Sequence, residues 1–167
     1  MKPIHIAKAL LIVFVLSIFA TSALFAHCEI PCGIYNDEMR IMMIREHVKT
    51  IEKSMKKITE LSAASTINYN QLVRWVNNKE EHANKIQKIV TQYFMTQRIK
   101  LVAPNDVKAQ KANLKKLELL HKMLVYAMKA KQTTDLANTQ KLLKAVDGFV
   151  NVYFDKEAKA HLKEHHK

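Results

Sequence analysis

Between Tyr35 and the last residue of this 167-residue chain there is one proline, Pro104, and one glycine, Gly148. Hairpins and tight reversals draw on glycine, proline and Asn-Gly pairs, so a stretch this poor in them is restricted to long helices joined by a few turns. Apolar spacing agrees. The first segment opens at Asn36 or Asp37 with Glu38 in its first turn. It carries Ile41, Ile44, Val48, Ile51, Met55 and Ile58 at alternating steps of three and four as far as about Leu61. Residues 62–66 interrupt the pattern, and a second segment over about 69–98 presents Leu72, Trp75, Val76, Ile86, Ile89, Val90 and Tyr93. A turn at 102–105 contains Pro104. The third segment, about 106–131, places Leu114, Leu117, Leu120, Leu124 and Ala127 on one side. Thr133 or Thr134 caps a fourth, built on Leu136, Leu142, Leu143, Val146, Phe149, Val150 and Phe154, and the polar tail EAKAHLKEHHK follows. Four helices of similar length on short connections predict an all-α fold, an antiparallel up-and-down four-helix bundle behind a nonhelical N-terminal arm.

Upstream, Lys2 and Lys8 form a basic stretch ahead of the apolar run ALLIVFVLSIFA, and a short exit ends at Ala26. This reads as a secretory signal peptide. The run falls short of the ~20 residues a spanning helix needs, and no basic stop-transfer cluster follows it. Cleavage after Ala26 leaves Leu24 three places before the cut, and cleavage after Ala23 is the other option. No Arg-Arg pair precedes the run, which favours the general secretion route. The expected product is exported, periplasmic or secreted, with no membrane association once the leader is gone. The expected organisation is a signal peptide at 1–26, an arm at 27–35, a helical domain at 36–160 and a basic His-rich tail at 161–167.

Removing Lys2 and Lys8 takes the net charge from +12 to +10, with histidine neutral. A basic exported protein suits anionic partners, small anions included. Lysine is spread over every segment, however, with no Arg-rich or aromatic-interleaved block, so no nucleic-acid partner is expected.

The helical body lacks the pattern of a di-iron bundle, which needs Glu-x-x-His on two helices. Lys79 precedes His82 by three and Ile44 precedes His47. Glu118 before His121 is a single occurrence, and His121 reads as a core histidine on the apolar stripe. Met42, Met43, Met95, Met123 and Met128 read as core filler. His161, His165 and His166 read as part of a solvated, frayed end.

Chemistry therefore concentrates in the arm. Cleavage after Ala26 would start the mature chain as HCEIPCGIY, placing the His27 imidazole, a free α-amine and the thiols of Cys28 and Cys32 within a few residues. A chain of this length can bury a core without a staple, although export favours a Cys28–Cys32 disulfide as one reading and incidental thiols are another. Against these stands the conjunction of donors with a turn at Pro31-Cys32-Gly33. An amine, a deprotonated backbone amide and two thiolates supply a planar N2S2 set, which suits Ni(II) or Cu(II) better than tetrahedral zinc.

HCEIPCGIY closely resembles the nickel hook HCxxPCGxY of nickel-containing superoxide dismutases: six defined residues in a nine-residue window at a processed N-terminus. The likeness continues through QLVRWVNNKEEHANKIQKIV and LLHKMLVYAMKAKQTTDLAN and fades after Phe154. It implies that the His27 α-amine, the Cys28 backbone nitrogen and the Cys28 and Cys32 thiolates surround nickel. The His27 imidazole is implied as an axial ligand, bound in Ni(III) and released in Ni(II). Pro31, with a cis peptide bond, and Gly33 would shape the loop, and Tyr35 would order water or substrate beside the open face. The implied activity is dismutation of superoxide to O2 and H2O2 by Ni2+/Ni3+ cycling, in a homohexamer. Thiolate and amidate donors push electron density onto nickel and bring that couple into range. The family's supporting Glu has Met43 at the corresponding ungapped position, which leaves Glu38, Glu46, Arg40 and His82 as candidates to orient the imidazole. Two other readings of the arm remain: a non-catalytic exported nickel or copper carrier, and a helical adaptor whose arm is closed by a disulfide.

Overall fold

The computed structural model describes residues 35–164, which lie within one compact unit and are all-helical, with no strand among them. Helix α1 spans Asp37–Ser62, α2 Tyr69–Lys88, α3 Val107–Gln132, α4 Ala137–Tyr153 and α5 Lys156–Glu164. Beyond Lys88 the second helix continues as a π-helical segment, Ile89–Arg98. Three starts are capped by side chains that accept from a third-residue N–H: Asn36 from Met39, Asn68 from Gln71 and Asp106 from Ala109. In sequence order each long helix packs on the next, and α4 packs back on α1.

The core follows the predicted stripes closely in α1, where Ile41, Ile44, Val48, Ile51 and Met55 are buried, and in α4, where Leu142, Val146, Phe149 and Val150 are. It departs from them in α2 and α3. Val76 is exposed, and so is Leu114, while Leu119, Leu120, Met123, Ala127 and Ala130 form the buried face of α3. His121 consequently lies on the exposed side and is not a core histidine. Met123 is fully buried and Met42, Met43 and Met95 pack against the core, but Met128 is exposed.

Two terminal expectations also change. The fourth helix begins at Ala137 rather than directly after a threonine cap. Thr133 Oγ1 accepts from Asp135 N and Asp135 Oδ1 accepts from Ala137 N, so the turn forms two residues later. The polar tail is helical over Lys156–Glu164, with Asp155 Oδ1 accepting from Ala158 N at its start and Leu162 buried. One apolar side chain in a polar run is enough to seat a short helix. His165 and His166 lie outside the described residues, as do the leader and residues 27–34. Among the described residues no helix is long and apolar enough to cross a membrane.

Candidate functional site

Tyr35, the last residue of the arm, is the first one described, and beside it lies a polar cluster at the start of α1. Asp37, the first residue of that helix, is its hub. Its carboxylate accepts from Arg98 Nε at 2.9 Å and Nη2 at 2.8 Å, from Tyr93 Oη at 2.5 Å and from Tyr153 Oη at 2.7 Å. Tyr93 Oη also accepts from the Asn36 backbone N–H at 3.0 Å. Three chain segments, the first turn of α1, the π-helical segment and the end of α4, are thus tied to one carboxylate.

The π-helical winding is what lets two of those partners come from one segment. Residues five apart on an α-helix diverge by about 140° around the axis, whereas i→i+5 winding returns them close to one face. Ile99 N donates to Phe94 O at 2.9 Å in this pattern, and the Thr96 and Gln97 side chains reach back to the carbonyls of Thr91 and Gln92. Tyr93 and Arg98, five apart, both reach Asp37 as a result.

Tyr35 is built onto this cluster. Its ring lies 4.2 Å from the Arg98 guanidinium carbon and meets the Tyr93 ring edge-on at 6.1 Å, while the residue remains 40% exposed. The guanidinium is held along its Nε–Nη2 edge by Asp37, so the ring rests on a fixed cationic surface. Below it, Phe94 contacts Phe149 and Tyr153, and Phe149 stacks on Tyr153 at 4.9 Å.

Electrostatics follow the bonding. Burial pushes the Asp37 carboxyl up, but the bonds from Arg98, Tyr93 and Tyr153 outweigh it and hold the group below the ordinary carboxylate range. Burial and the Asp37 bond push the Tyr153 hydroxyl up to about 12, and the same two causes raise Tyr93. The cluster is therefore an ionised carboxylate and a guanidinium flanked by neutral phenols across the physiological range.

Of the site residues expected from the sequence, Tyr35 is described; His27, Cys28, Pro31, Cys32 and Gly33 lie outside the described residues. The four candidates for supporting the His27 imidazole do not form one group. Arg40 lies over the Tyr93 ring at 5.0 Å, beside the cluster. Glu38 contacts His161 of α5, His82 meets His47 at 3.1 Å, and Glu46 is exposed. Asp37, Arg98, Tyr93 and Tyr153 were not anticipated as site residues. The available signal was Asp37 itself, an acid two residues beyond the arm's tyrosine.

Among the described residues no group of three or more His, Cys, Asp or Glu side chains converges as a metal site. The donor set with the chemistry for nickel is that of the arm: one imidazole, two thiolates and the amine that a cut after Ala26 would free. Residues 22–157 match the family model of nickel-containing superoxide dismutase. Comparison with curated proteins and with solved structures returned no match.

Proposed function

Because the chain belongs to the nickel-containing superoxide dismutases, we propose that its reaction centre is the segment 27–35, exposed when a signal peptide is removed. The enzyme is a superoxide dismutase and its metal is nickel. The observation that carries the site assignment is HCEIPCGIY, the densest collection of soft and nitrogen donors in the chain, which ends in an anchored tyrosine.

The His27 α-amine and imidazole, the Cys28 backbone nitrogen and the Cys28 and Cys32 thiolates would hold the ion, with Pro31 and Gly33 turning the loop. Bound nickel would supply a Ni(II)/Ni(III) couple able to take an electron from one superoxide and return it to the next. Two protons are consumed as the second superoxide becomes H2O2. Tyr35 presents its hydroxyl at the arm's exit to order water or superoxide, and Arg98 fixes the ring that carries it. The excess of basic side chains raises the local concentration of a small anion.

The closed sequence of helix contacts supports an antiparallel up-and-down bundle as the body, extended by α5. The leader supports export to the periplasm or beyond, with no membrane attachment afterwards, and the family resemblance supports a homohexamer.

The test is superoxide decay with nickel-loaded protein beginning at His27, beside the same chain with Ala26 retained. Fast decay in the first and near loss in the second is expected, because an acylated His27 nitrogen is no longer an amine donor. Equal activity in both would refute the terminal amine as a ligand.

A further inference from the structure

We propose that His47 and His82 form a second transition-metal site, separate from the arm, that takes a divalent ion of the nickel-to-zinc series between α1 and α2. The two side chains come from facing helices, and their Nδ1 atoms are 3.1 Å apart with ring planes at 84°. The spacing of the rings separates two ways of making that contact. With nitrogen–metal bonds of about 2.05 Å, an ion shared by two nitrogens at that separation subtends about 98°, and the ring centroids fall about 4.8 Å apart. A head-on N–H···N hydrogen bond of the same length would put the centroids about 5.4 Å apart, since each nitrogen lies about 1.15 Å from its ring centre. The observed centroid separation is 4.8 Å. The separation thus matches a shared ion and is too short for a collinear hydrogen bond, and a near-right angle suits tetrahedral, square-planar or octahedral coordination alike.

The surroundings favour the neutral, ligating form. Burial, followed by the charge of Lys85, lowers the affinity of His82 for a proton, and His47 is lowered by burial, His82 and Lys85. Glu46 and Glu81 are close enough to act on both rings in the opposite sense, and Glu81 is paired with Lys85 at 2.6 Å. A bound cation would compete with Lys85 for Glu81 and fill its remaining positions with water, because among the described residues no third protein ligand is in place. His47 is almost fully buried and His82 is half-buried, so the ion would enter from the His82 side. The site stands whether or not the arm holds nickel.

The test uses the chain beginning at His27 with Cys28→Ser and Cys32→Ser, titrated calorimetrically with Zn2+ and followed by imidazole NMR shifts. The expected result is an ion whose binding shifts both His47 and His82 and raises the unfolding temperature. His82→Gln should remove that ion or weaken it by at least about tenfold, and leave the metal-free fold intact by circular dichroism. Binding unchanged by His82→Gln would overturn the proposal, as would shifts confined to other histidines. So would binding lost only on replacing His161, His165 and His166 by Gln, which would assign the ion to the tail.

Discussion

Replacing Asp37 by Asn tests whether the hub beside Tyr35 ties α1, the π-helical segment and α4 together. Four donors converge on this carboxylate, two from Arg98 and one each from Tyr93 and Tyr153. An amide keeps one acceptor oxygen and turns an NH2 toward groups that themselves donate. Hydrogen bonds to charged groups contribute about 1.5–3 kcal/mol each when buried, but Asp37 and Arg98 side chains are 15% and 26% exposed, which moves the figure toward surface values. The expected loss for Asp37→Asn is about 2 kcal/mol, or about 6 °C in Tm for a chain of this size. A double-mutant cycle with Arg98→Gln should return a coupling of about 1 kcal/mol or more. The pH dependence has a definite sign. The folded carboxyl lies below its ordinary value, so its contribution is complete above the unfolded pKa, about 3.9, and disappears as pH falls through the lower folded value. In urea unfolding at fixed protein concentration, the gap between the parent and Asp37→Asn should hold steady from pH 7 to about 5 and narrow below about 4. A loss under about 0.5 kcal/mol at pH 7, within the range of ordinary surface substitutions, would refute the reasoning, and so would a gap that stays constant into acid.

Three further outcomes follow from other parts of the molecule. Lys79 is buried and its ammonium donates to the carbonyls of Ala130, at 2.9 Å, and Lys131 in the last turn of α3. Lys79→Met should cost about 2 kcal/mol in chemical denaturation by leaving those carbonyls unpaired. Burial and Asp37 raise the Tyr153 hydroxyl to about 12, so the stability it contributes is intact below about pH 10 and lost as pH rises toward 12. Tyr153→Phe should flatten that alkaline decline, and ultraviolet titration of the folded protein should show one fewer late-ionising phenol. If basic side chains draw superoxide inward, kcat/KM should fall as ionic strength rises through the range in which the Debye length shrinks from about 30 to about 8 Å; a rate independent of salt would remove charge from the mechanism.

The contrast between what could and could not be read from the sequence is a contrast between local and distant causes. Alternating threes and fours placed the buried face of α1 because every residue of that stripe lies within one helix. In α3 the same rule chose Leu114 and Leu117 over Leu119 and Met123, because leucine occupies both sides and only packing against α4 decides between them. The close approach there is visible at Gly148, where an added Cβ would come within 2.8 Å of Leu119. α5 was missed because its nine residues carry little apolar signal, and its one buried anchor, Leu162, matters only when the rest of the fold is present to receive it.

The two halves of the candidate site divide along the same line. Six defined residues in nine spell the proposed hook, His27, Cys28 and Cys32 among them, so it is readable from contiguous sequence. Its footing is not: Arg98 and Tyr153 stand 61 and 116 residues from Asp37, and the π-helical winding that turns Tyr93 and Arg98 to one side violates the period used to assign faces. That division has a mechanical consequence. Tyr35, the last residue of the arm, lies on Arg98, whose orientation depends on Asp37. A substitution at Asp37 or Arg98 would therefore loosen the Tyr35 ring while leaving every donor of HCEIPCGIY in the sequence. Such a variant should still take up nickel and yet lose turnover, and that separation of binding from rate is what distinguishes a footing from a ligand.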